Sequence, residues 1–265
     1  MMRSTMKQSK KYRNWMLTIL FWVVLWQLAA STMDNAIALV GPVQTFEIFF
    51  KLIAEAEFWK IVVCSLSRIL AGFFLGWMSG TLAALAACKV PAVEMLLAPF
   101  VSLLRAVPVA SFVILALIWM GSENLTVFVV FVVVMPIVYA AVLDGMGQTD
   151  KEMLELAKVF RMGRWKKLWY IYRPSCIPFL LNAMTVTAGL AWKSGVAAEV
   201  IGIPEYSFGE RLYMSKIYLE TGDLFAWTAA VILFSYLFER AGIWLLKKTA
   251  GKGVVTDGNP NSKLE

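Results

Sequence analysis

The sequence predicts an all-α integral membrane protein with about six membrane-spanning helices. The first observation is composition: 60% of the 265 residues are hydrophobic and 16% are charged, whereas soluble domains carry about 25% charged residues. The second is that several apolar runs approach the ~20 residues that a helix needs to cross a bilayer. The third is that Lys and Arg cluster between these runs, as they do in cytoplasmic loops. We therefore attribute the net charge of +7 to membrane topology, and no nucleic-acid partner is predicted.

The apolar runs set the predicted domain boundaries. The predicted helices cover residues 15–31, 61–87, 93–120, 125–143, 177–202 and 224–246. Residues 1–14 form a basic N-terminus, residues 15–248 a transmembrane domain, and residues 249–265 a polar C-terminal tail. The basic start and the first run could also be a cleaved signal peptide. The length of the run and its Trp and Phe content favour an uncleaved first helix.

Loop charges predict the orientation of the chain in a cell membrane, the inner or plasma membrane. Basic residues are concentrated in the N-terminal segment, at Lys89, in residues 151–173, and at Lys247, Lys248 and Lys252. In a six-helix layout all of these fall on one side, which the positive-inside rule assigns to the cytoplasm. Both termini and the segment between the fourth and fifth helices are therefore predicted to be cytoplasmic.

Two predicted helices carry residues that affect packing. Gly72, Gly76 and Gly80 recur at four-residue spacing in the second helix, an arrangement that lets membrane helices approach closely. The alternative is that these glycines are merely tolerated. Pro108 interrupts the third helix, because proline has no N–H and disfavours helical geometry in Val107. Broken helices at membrane depth occur where they face protein or a water-filled path.

The segment 149–174, "TDKEMLELAKVFRMGRWKKLWYIYRP", is basic and amphipathic. Thr149 followed by Glu152 is a capping-box pattern, which predicts the start of a helix. The apolar residues that follow share one helical face: Met153, Leu156, Ala157 and Phe160. Gly163 is predicted to end this helix, and Pro174 to end a second short helix. The segment should therefore form two short amphipathic helices on the cytoplasmic surface.

From the residues alone, two interpretations of this segment remain open. Its aromatic residues could rest among lipid headgroups while its Lys and Arg meet anionic lipid. Alternatively, its apolar face could insert into a groove on a cytoplasmic partner protein, with Glu155 beside it.

The segment resembles the EAA loop of type I ABC importer permeases. Glu155, Ala157, Ile171 and Pro174 match that pattern in register. Three positions depart from it: Leu156 replaces the first Ala of the motif, Arg161 replaces the loop Gly, and Arg173 replaces the Leu before the final Pro. Because Arg161 stands at the glycine position, we expect Gly163 to supply the turn.

Three further segments are similar to the nitrate/sulfonate/taurine branch of these permeases: "SLSRILAGFFLGWMSG", "LLRAVPVASFVILALIWMG" and "GLAWKSGVAAEVIG". The resemblance implies a type I permease fold and a permease homodimer that forms the path for a small anionic solute. It also implies a separate ATP-binding-cassette ATPase subunit and an extracytoplasmic substrate-binding protein as partners. The coupling-loop residues that it implies are Glu155, Ala157, Phe160, Arg161, Gly163, Ile171 and Pro174.

The chain is predicted not to be an enzyme. It contains no G-x-x-x-x-G-K-[ST] phosphate loop, so no cofactor is predicted in this chain, and ATP and Mg²⁺ are expected in the partner ATPase. The chain contains no His, which removes His-based catalysis and most zinc sites. Neither catalytic nor metal-ligating residues are predicted.

Ionisable residues inside predicted spans are candidates for function, because burying a charge in a bilayer is costly. The candidates for the translocation path are Arg105, Pro108, Trp192, Lys193 and Glu199. Arg105 could instead bind a helix C-terminus, and Arg68 could reach an interface. Lys193 and Glu199 are six residues apart, about 120° around a helix, so each needs another partner or water.

One alternative function is a secondary transporter, or another polytopic membrane protein, that works without an ATPase partner. No internal repeat is visible in the sequence, which argues against an inverted-repeat transporter within one chain.

Overall fold

A computed structural model describes residues 2–32 and 39–250, and the side chains of residues 14–32 and 39–248. The helices in order are α1 (Met2–Thr32), α2 (Pro42–Ile53), α3 (Ala56–Ala87), α4 (Pro91–Ala106), α5 (Val109–Gly147), α6 (Lys151–Val159), α7 (Arg164–Lys167), α8 (Arg173–Gly202), α9 (Phe208–Ile217) and α10 (Thr221–Ala250). A π-helical turn, Leu168–Tyr172, joins α7 to α8. All regular structure in the described part of the chain is helical, which confirms the predicted fold class. Apart from the end of α10, the predicted tail 249–265 lies outside the described residues.

Five segments are long and apolar enough to cross a membrane: Asn14–Thr32, Ala56–Ala87, Val109–Gly147, Arg164–Gly202 and Thr221–Lys248. The prediction was about six. The difference arises in the third predicted helix, which breaks where Val107 takes extended geometry (φ −71°, ψ 124°) before Pro108, as expected next to proline. Its second half and the predicted fourth helix meet at Gly121, where the backbone is non-helical (φ 70°, ψ 171°). The chain folds back there, because the Phe112 and Phe128 ring centroids lie only 6.5 Å apart. The segment Val109–Gly147 therefore contains two of the predicted helices, joined by a turn at Gly121.

The chain divides into two compact units. The first comprises Met1–Ile61 and Arg211–Ala230. In this unit the Phe58 ring stacks on Trp227 with the centroids 5.3 Å apart, and the Trp26 indole N–H donates to the Val40 carbonyl at 3.0 Å.

The second unit comprises Val62–Glu210 and Val231–Glu265, and its core is built around α5. The predicted close approach of the glycine row in α3 is confirmed there. A Cβ added to Gly76 would lie 2.8 Å from Val134 Cβ, and one on Gly80 would lie 2.6 Å from the Met135 carbonyl. The glycines thus let α3 contact the backbone of α5, where any larger residue would push the helices apart.

Residues 203–222, which lie between the fifth and sixth predicted helices, contain α9. The Ser207 hydroxyl accepts a hydrogen bond of 2.9 Å from the Glu210 N–H, the side-chain cap that favours a helix start. The last predicted helix, 224–246, is also longer than expected and spans Thr221–Ala250.

Candidate functional site

Helix α6 opens the segment 149–174 and is capped by Asp150. The Glu152 N–H donates to Asp150 Oδ1 at 2.9 Å. The predicted cap was Thr149, which is wrong: Thr149 is buried and its hydroxyl donates to the Gly145 carbonyl at 3.5 Å. Asp150 is an equally good capping residue one position closer to the helix, so the capping-box pattern located the helix start to within one residue.

The surface of α6 is divided by burial. Ala157 is 1% exposed and anchors the helix to the protein. It was predicted to share a face with Met153, Leu156 and Phe160, but these three point away from the protein. The exposed apolar stripe of α6, as the structure defines it, consists of Met153, Leu156, Val159 and Phe160. Glu155 is also exposed. Exposed apolar stripes of this kind are typical of docking surfaces.

The turn after α6 is made by Arg161. This residue takes left-handed geometry with φ +48°, and the Met162 N–H closes the helix end on the Ala157 carbonyl at 2.9 Å. Arg161 stands where the EAA pattern has Gly, the residue that adopts this geometry without a steric penalty. Gly163 was expected to supply the turn. Instead it precedes α7 with φ −64°, a geometry open to any residue.

The second half of the segment runs into α8 without a break. The Arg173 N–H bonds to the Leu168 carbonyl in the π register, and Pro174 then lies in the first turn of α8. The prediction that Pro174 ends a helix, and that the next begins at residue 177, is wrong. Pro174 has no N–H to offer the carbonyl of the preceding turn, but the helix already continues from α7 through the π turn, and the chain passes this position without ending the helix. Ile171 is half-buried.

Lys193 lies on the exposed face of α8. It borders two hollows. One, of about 330 Å³, is lined by Lys193 together with Val109, Val113, Val133, Ser194 and Ala197 among others. The other, of about 430 Å³, includes Val196, Ser235, Tyr236 and Glu239. Among the side chains that the structure describes, Lys193 takes part in none of the ion pairs.

The neighbouring Trp192 lies in the core. It is 1% exposed, and its ring centroid is 6.1 Å from that of Phe208 and 6.4 Å from that of Phe238. The structure therefore places Trp192 in an aromatic cluster and Lys193 at the surface.

Glu199 is completely buried. The Ser65 hydroxyl donates to its Oε2 at 2.9 Å, and the Gly209 N–H donates to the same oxygen at 3.3 Å. The Phe208 N–H in turn donates to Ser65 Oγ at 2.9 Å. The Glu199 carboxylate thus lies at the N-terminus of α9, where the helix dipole favours negative charge. Sequence reasoning missed Ser65 and Gly209, because both lie in other helices and meet Glu199 only in the folded chain.

Two arginines that the sequence singled out also have partners. Arg68 pairs with Glu123 and donates to the Glu205 carbonyl at 3.1 Å. Arg105 donates to the Pro136 carbonyl at 2.8 Å. That carbonyl lies inside α5, well before its end at Gly147, so the expected helix C-terminus is not the acceptor. Pro108 directly precedes α5. No cluster of metal-ligating side chains occurs among the described residues.

Comparison with known proteins agrees with this arrangement of helices. The family model "Binding-protein-dependent transport system inner membrane component" matches residues 72–248. The taurine transport system permease protein TauC of Escherichia coli (strain K12) is 24% identical over 222 residues, covering 82% of this chain and 80% of that protein. The putative aliphatic sulfonates transport permease protein SsuC of Bacillus subtilis (strain 168) is 24% identical over 234 residues, covering 86% and 83%.

One solved structure shares the fold along nearly the whole chain. It is that of a bacterial ABC transporter involved in the import of the acidic polysaccharide alginate. The TM-score is 0.58 at 13% identity, and the match covers 92% of this chain and 97% of that chain.

Proposed function

This chain belongs to the family of binding-protein-dependent transport system inner membrane components, and we propose that it forms, with a second copy, the path of an importer for a small anionic solute. Membership of the family confirms the resemblance seen in the sequence. The chain is a multi-pass permease subunit of an ABC importer. Permease subunits are not themselves enzymes, so the proposal assigns ATP, Mg²⁺ and hydrolysis to a separate ATPase subunit.

The observation that carries the coupling proposal is the exposed apolar stripe of α6. This helix lies between two candidate spans, Val109–Gly147 and Arg164–Gly202, yet it turns Met153, Leu156 and Phe160 outward. Leaving apolar surface in water is unfavourable by about 25 cal/mol per Å², which favours a partner groove. In the proposal that groove belongs to the ATPase, and closure of the ATPase dimer moves α6 and the helices attached to it.

The proposed solute class rests on two kinds of support. Two relatives are named for taurine and aliphatic sulfonates, both of which carry a sulfonate group. In this chain, the exposed Lys193 borders two hollows on α8, and a cation there lowers the barrier for a passing anion. Residues Arg105, Pro108, Trp192 and Glu199 remain path candidates, although Trp192 packs in the core and Glu199 accepts buried hydrogen bonds from Ser65 and Gly209.

The proposed orientation follows from the loop charges. Both termini and the segment 149–174 face the cytoplasm, and the loop before α9 faces outward, where an extracytoplasmic substrate-binding protein delivers the solute. Reporters inserted at Gly147 and fused after Lys248 should both give cytoplasmic signals, whereas a reporter at Ser207 should give an external one. An external signal at Gly147 would exclude the coupling role of α6.

Co-purification tests the coupling proposal directly. The permease is co-expressed with an ATP-binding-cassette ATPase from the same organism, and the ATPase retained on the tagged permease is quantified. Phe160→Glu places a carboxylate in the apolar stripe and should abolish retention. The matched control is Phe46→Glu on α2, which changes an exposed Phe outside the coupling segment and should retain the ATPase normally. A secondary transporter, the rival function, would retain no ATPase and would transport without one.

A further inference from the structure

The segment 149–174 changes character in its second half. Residues 150–160 carry three acids and two lysines, whereas residues 164–173 carry four cations and no acid. We call the second group the basic-aromatic surface and define it by Trp165, Lys166, Lys167, Trp169, Tyr170 and Arg173. A single docking helix does not require this separation of charge, so the two halves should bind different partners.

The aromatic side chains of this surface are exposed. Trp165 is 77% and Tyr170 is 74% exposed. The Arg173 guanidinium lies over the Trp169 ring, 4.4 Å from its centroid, within the range of a cation–π contact. Large exposed aromatic rings beside cations suit a partner that offers both apolar and anionic groups.

The position of the surface along the chain indicates what that partner is. Helical structure continues from Arg164 to Gly202, and the apolar part of this helix begins near Ile177. At 1.5 Å per residue, Arg173 lies about 6 Å and Lys167 about 15 Å along the axis before Ile177. The polar headgroup layer occupies roughly the first 5–8 Å beyond the hydrocarbon core. Arg173 therefore lies within that layer, whereas Lys167 lies beyond it on the cytoplasmic side, where a long lysine side chain reaches back toward the headgroups. Trp and Tyr are enriched at this boundary.

We propose that the basic-aromatic surface binds the phosphate headgroup of an anionic lipid, so that α6 alone enters the ATPase. The inference rests on the proposed function, because that function assigns α6 to the ATPase and this side of the chain to the cytoplasmic leaflet. Anionic lipids attract basic segments next to a span. A lipid bound here would fix the point where the coupling segment joins α8, so that movement of α6 is passed to the helix and not lost in the turn.

The test compares two double variants that remove equal charge. Lys166→Gln with Lys167→Gln changes the basic-aromatic surface, and Lys151→Gln with Lys158→Gln changes α6. Each permease is reconstituted without ATPase into nanodiscs that contain equal amounts of phosphatidylglycerol and phosphatidylcholine, and is then released from them. Native mass spectrometry then counts the lipids that remain bound. ATPase retention is measured separately for the same proteins.

The wild type should retain phosphatidylglycerol in preference to phosphatidylcholine. Each lysine removed from the basic-aromatic surface should lower that preference about five-fold, with ATPase retention unchanged. The α6 variant should keep the lipid preference. An unchanged preference in the Lys166/Lys167 variant, or a loss of ATPase retention in it, would overturn the inference. So would a preference that added inorganic phosphate abolishes, since that would indicate a soluble-phosphate site. If the wild type retains no ATPase, that result counts against the proposed function. The lipid measurement is made without ATPase, so it still tests whether the basic-aromatic surface binds anionic lipid.

Discussion

The Ser65 hydroxyl donates a 2.9 Å hydrogen bond to the Glu199 carboxylate across 134 positions of sequence. This contact joins α3 to α8, and the same two side chains accept the Phe208 and Gly209 N–H groups at the start of α9. A buried carboxylate is costly unless it is hydrogen-bonded. Glu199 is therefore best understood as a residue that positions three helices, and its contribution to the translocation path is indirect.

Substitution of Glu199 tests this positioning role. Glu199→Ala leaves the Ser65 hydroxyl and the Gly209 N–H without their acceptor, at a cost of about 1–3 kcal/mol for each buried group. The melting temperature of the purified permease should fall clearly. Glu199→Gln keeps an acceptor oxygen, so its melting temperature should fall less. Equal melting temperatures for the wild type and Glu199→Ala would contradict the assignment.

The approach of α3 to α5 makes Gly76 sensitive to substitution. Gly76→Ala puts a Cβ 2.8 Å from Val134 Cβ, and overpacking of this kind typically costs about 1–3 kcal/mol. Gly189→Ala on α8 is the matched control, because nothing lies within 4 Å of its added Cβ. The melting temperature should fall for Gly76→Ala and hold or rise for Gly189→Ala. The reverse order would show that the two helices do not meet at this glycine.

The left-handed turn at Arg161 predicts an unusual pattern of tolerance. Left-handed geometry costs a non-glycine residue about 1–2 kcal/mol, so Arg161→Gly should preserve uptake and hold or raise the melting temperature. Arg161→Val should lower it, because a β-branched residue fits this geometry poorly. Gly163→Ala should be neutral, since Gly163 has φ −64°. A lower melting temperature for Gly163→Ala, together with an unchanged one for Arg161→Val, would place the turn at Gly163.

Lys193→Met tests the proposed path. The substitution keeps the length of the side chain and removes the charge. Uptake of an anionic solute should fall while protein level and ATPase retention stay normal, because the packed core does not involve this exposed side chain. Poor assembly or uncoupled ATP hydrolysis would instead indicate a structural ion pair with a second subunit. Normal uptake with normal coupling would show that Lys193 serves neither the path nor a structural ion pair.

Local patterns predicted the fold well. The glycine row and the break before Pro108 depend on backbone chemistry that a few neighbouring residues determine, and both are present. The start of α6 was missed by one residue because Thr149 and Asp150 are both good caps. Pro174 was misinterpreted because a π turn at Leu168–Tyr172 continues the helix past this proline, and the residue types there do not indicate such a turn.

The contacts of the candidate site were less predictable. Glu199 was recognised as a costly buried charge, but its acceptor role depends on Ser65 and Gly209, which lie in other helices. Arg68 likewise meets Glu123 and Glu205 only because the chain folds back. The family pattern has Gly at the position of Arg161, but the turn was expected at the nearby Gly163, and the left-handed geometry of Arg161 was therefore missed. Tertiary contacts between helices, and not local propensity, decide these positions.

The central claim is that the segment 149–174, through α6, couples this permease to an ATPase, and Glu155→Lys tests it most directly. Glu155 is exposed beside the apolar stripe of α6, and breaking a desolvated charge pair costs about 2–5 kcal/mol. ATPase retention and solute uptake are measured together, with Glu152→Lys in the first turn of α6 as the matched control. The account predicts that Glu155→Lys loses both activities while membrane insertion remains normal. Unchanged retention and uptake would contradict it and return the segment to a role in lipid contact alone.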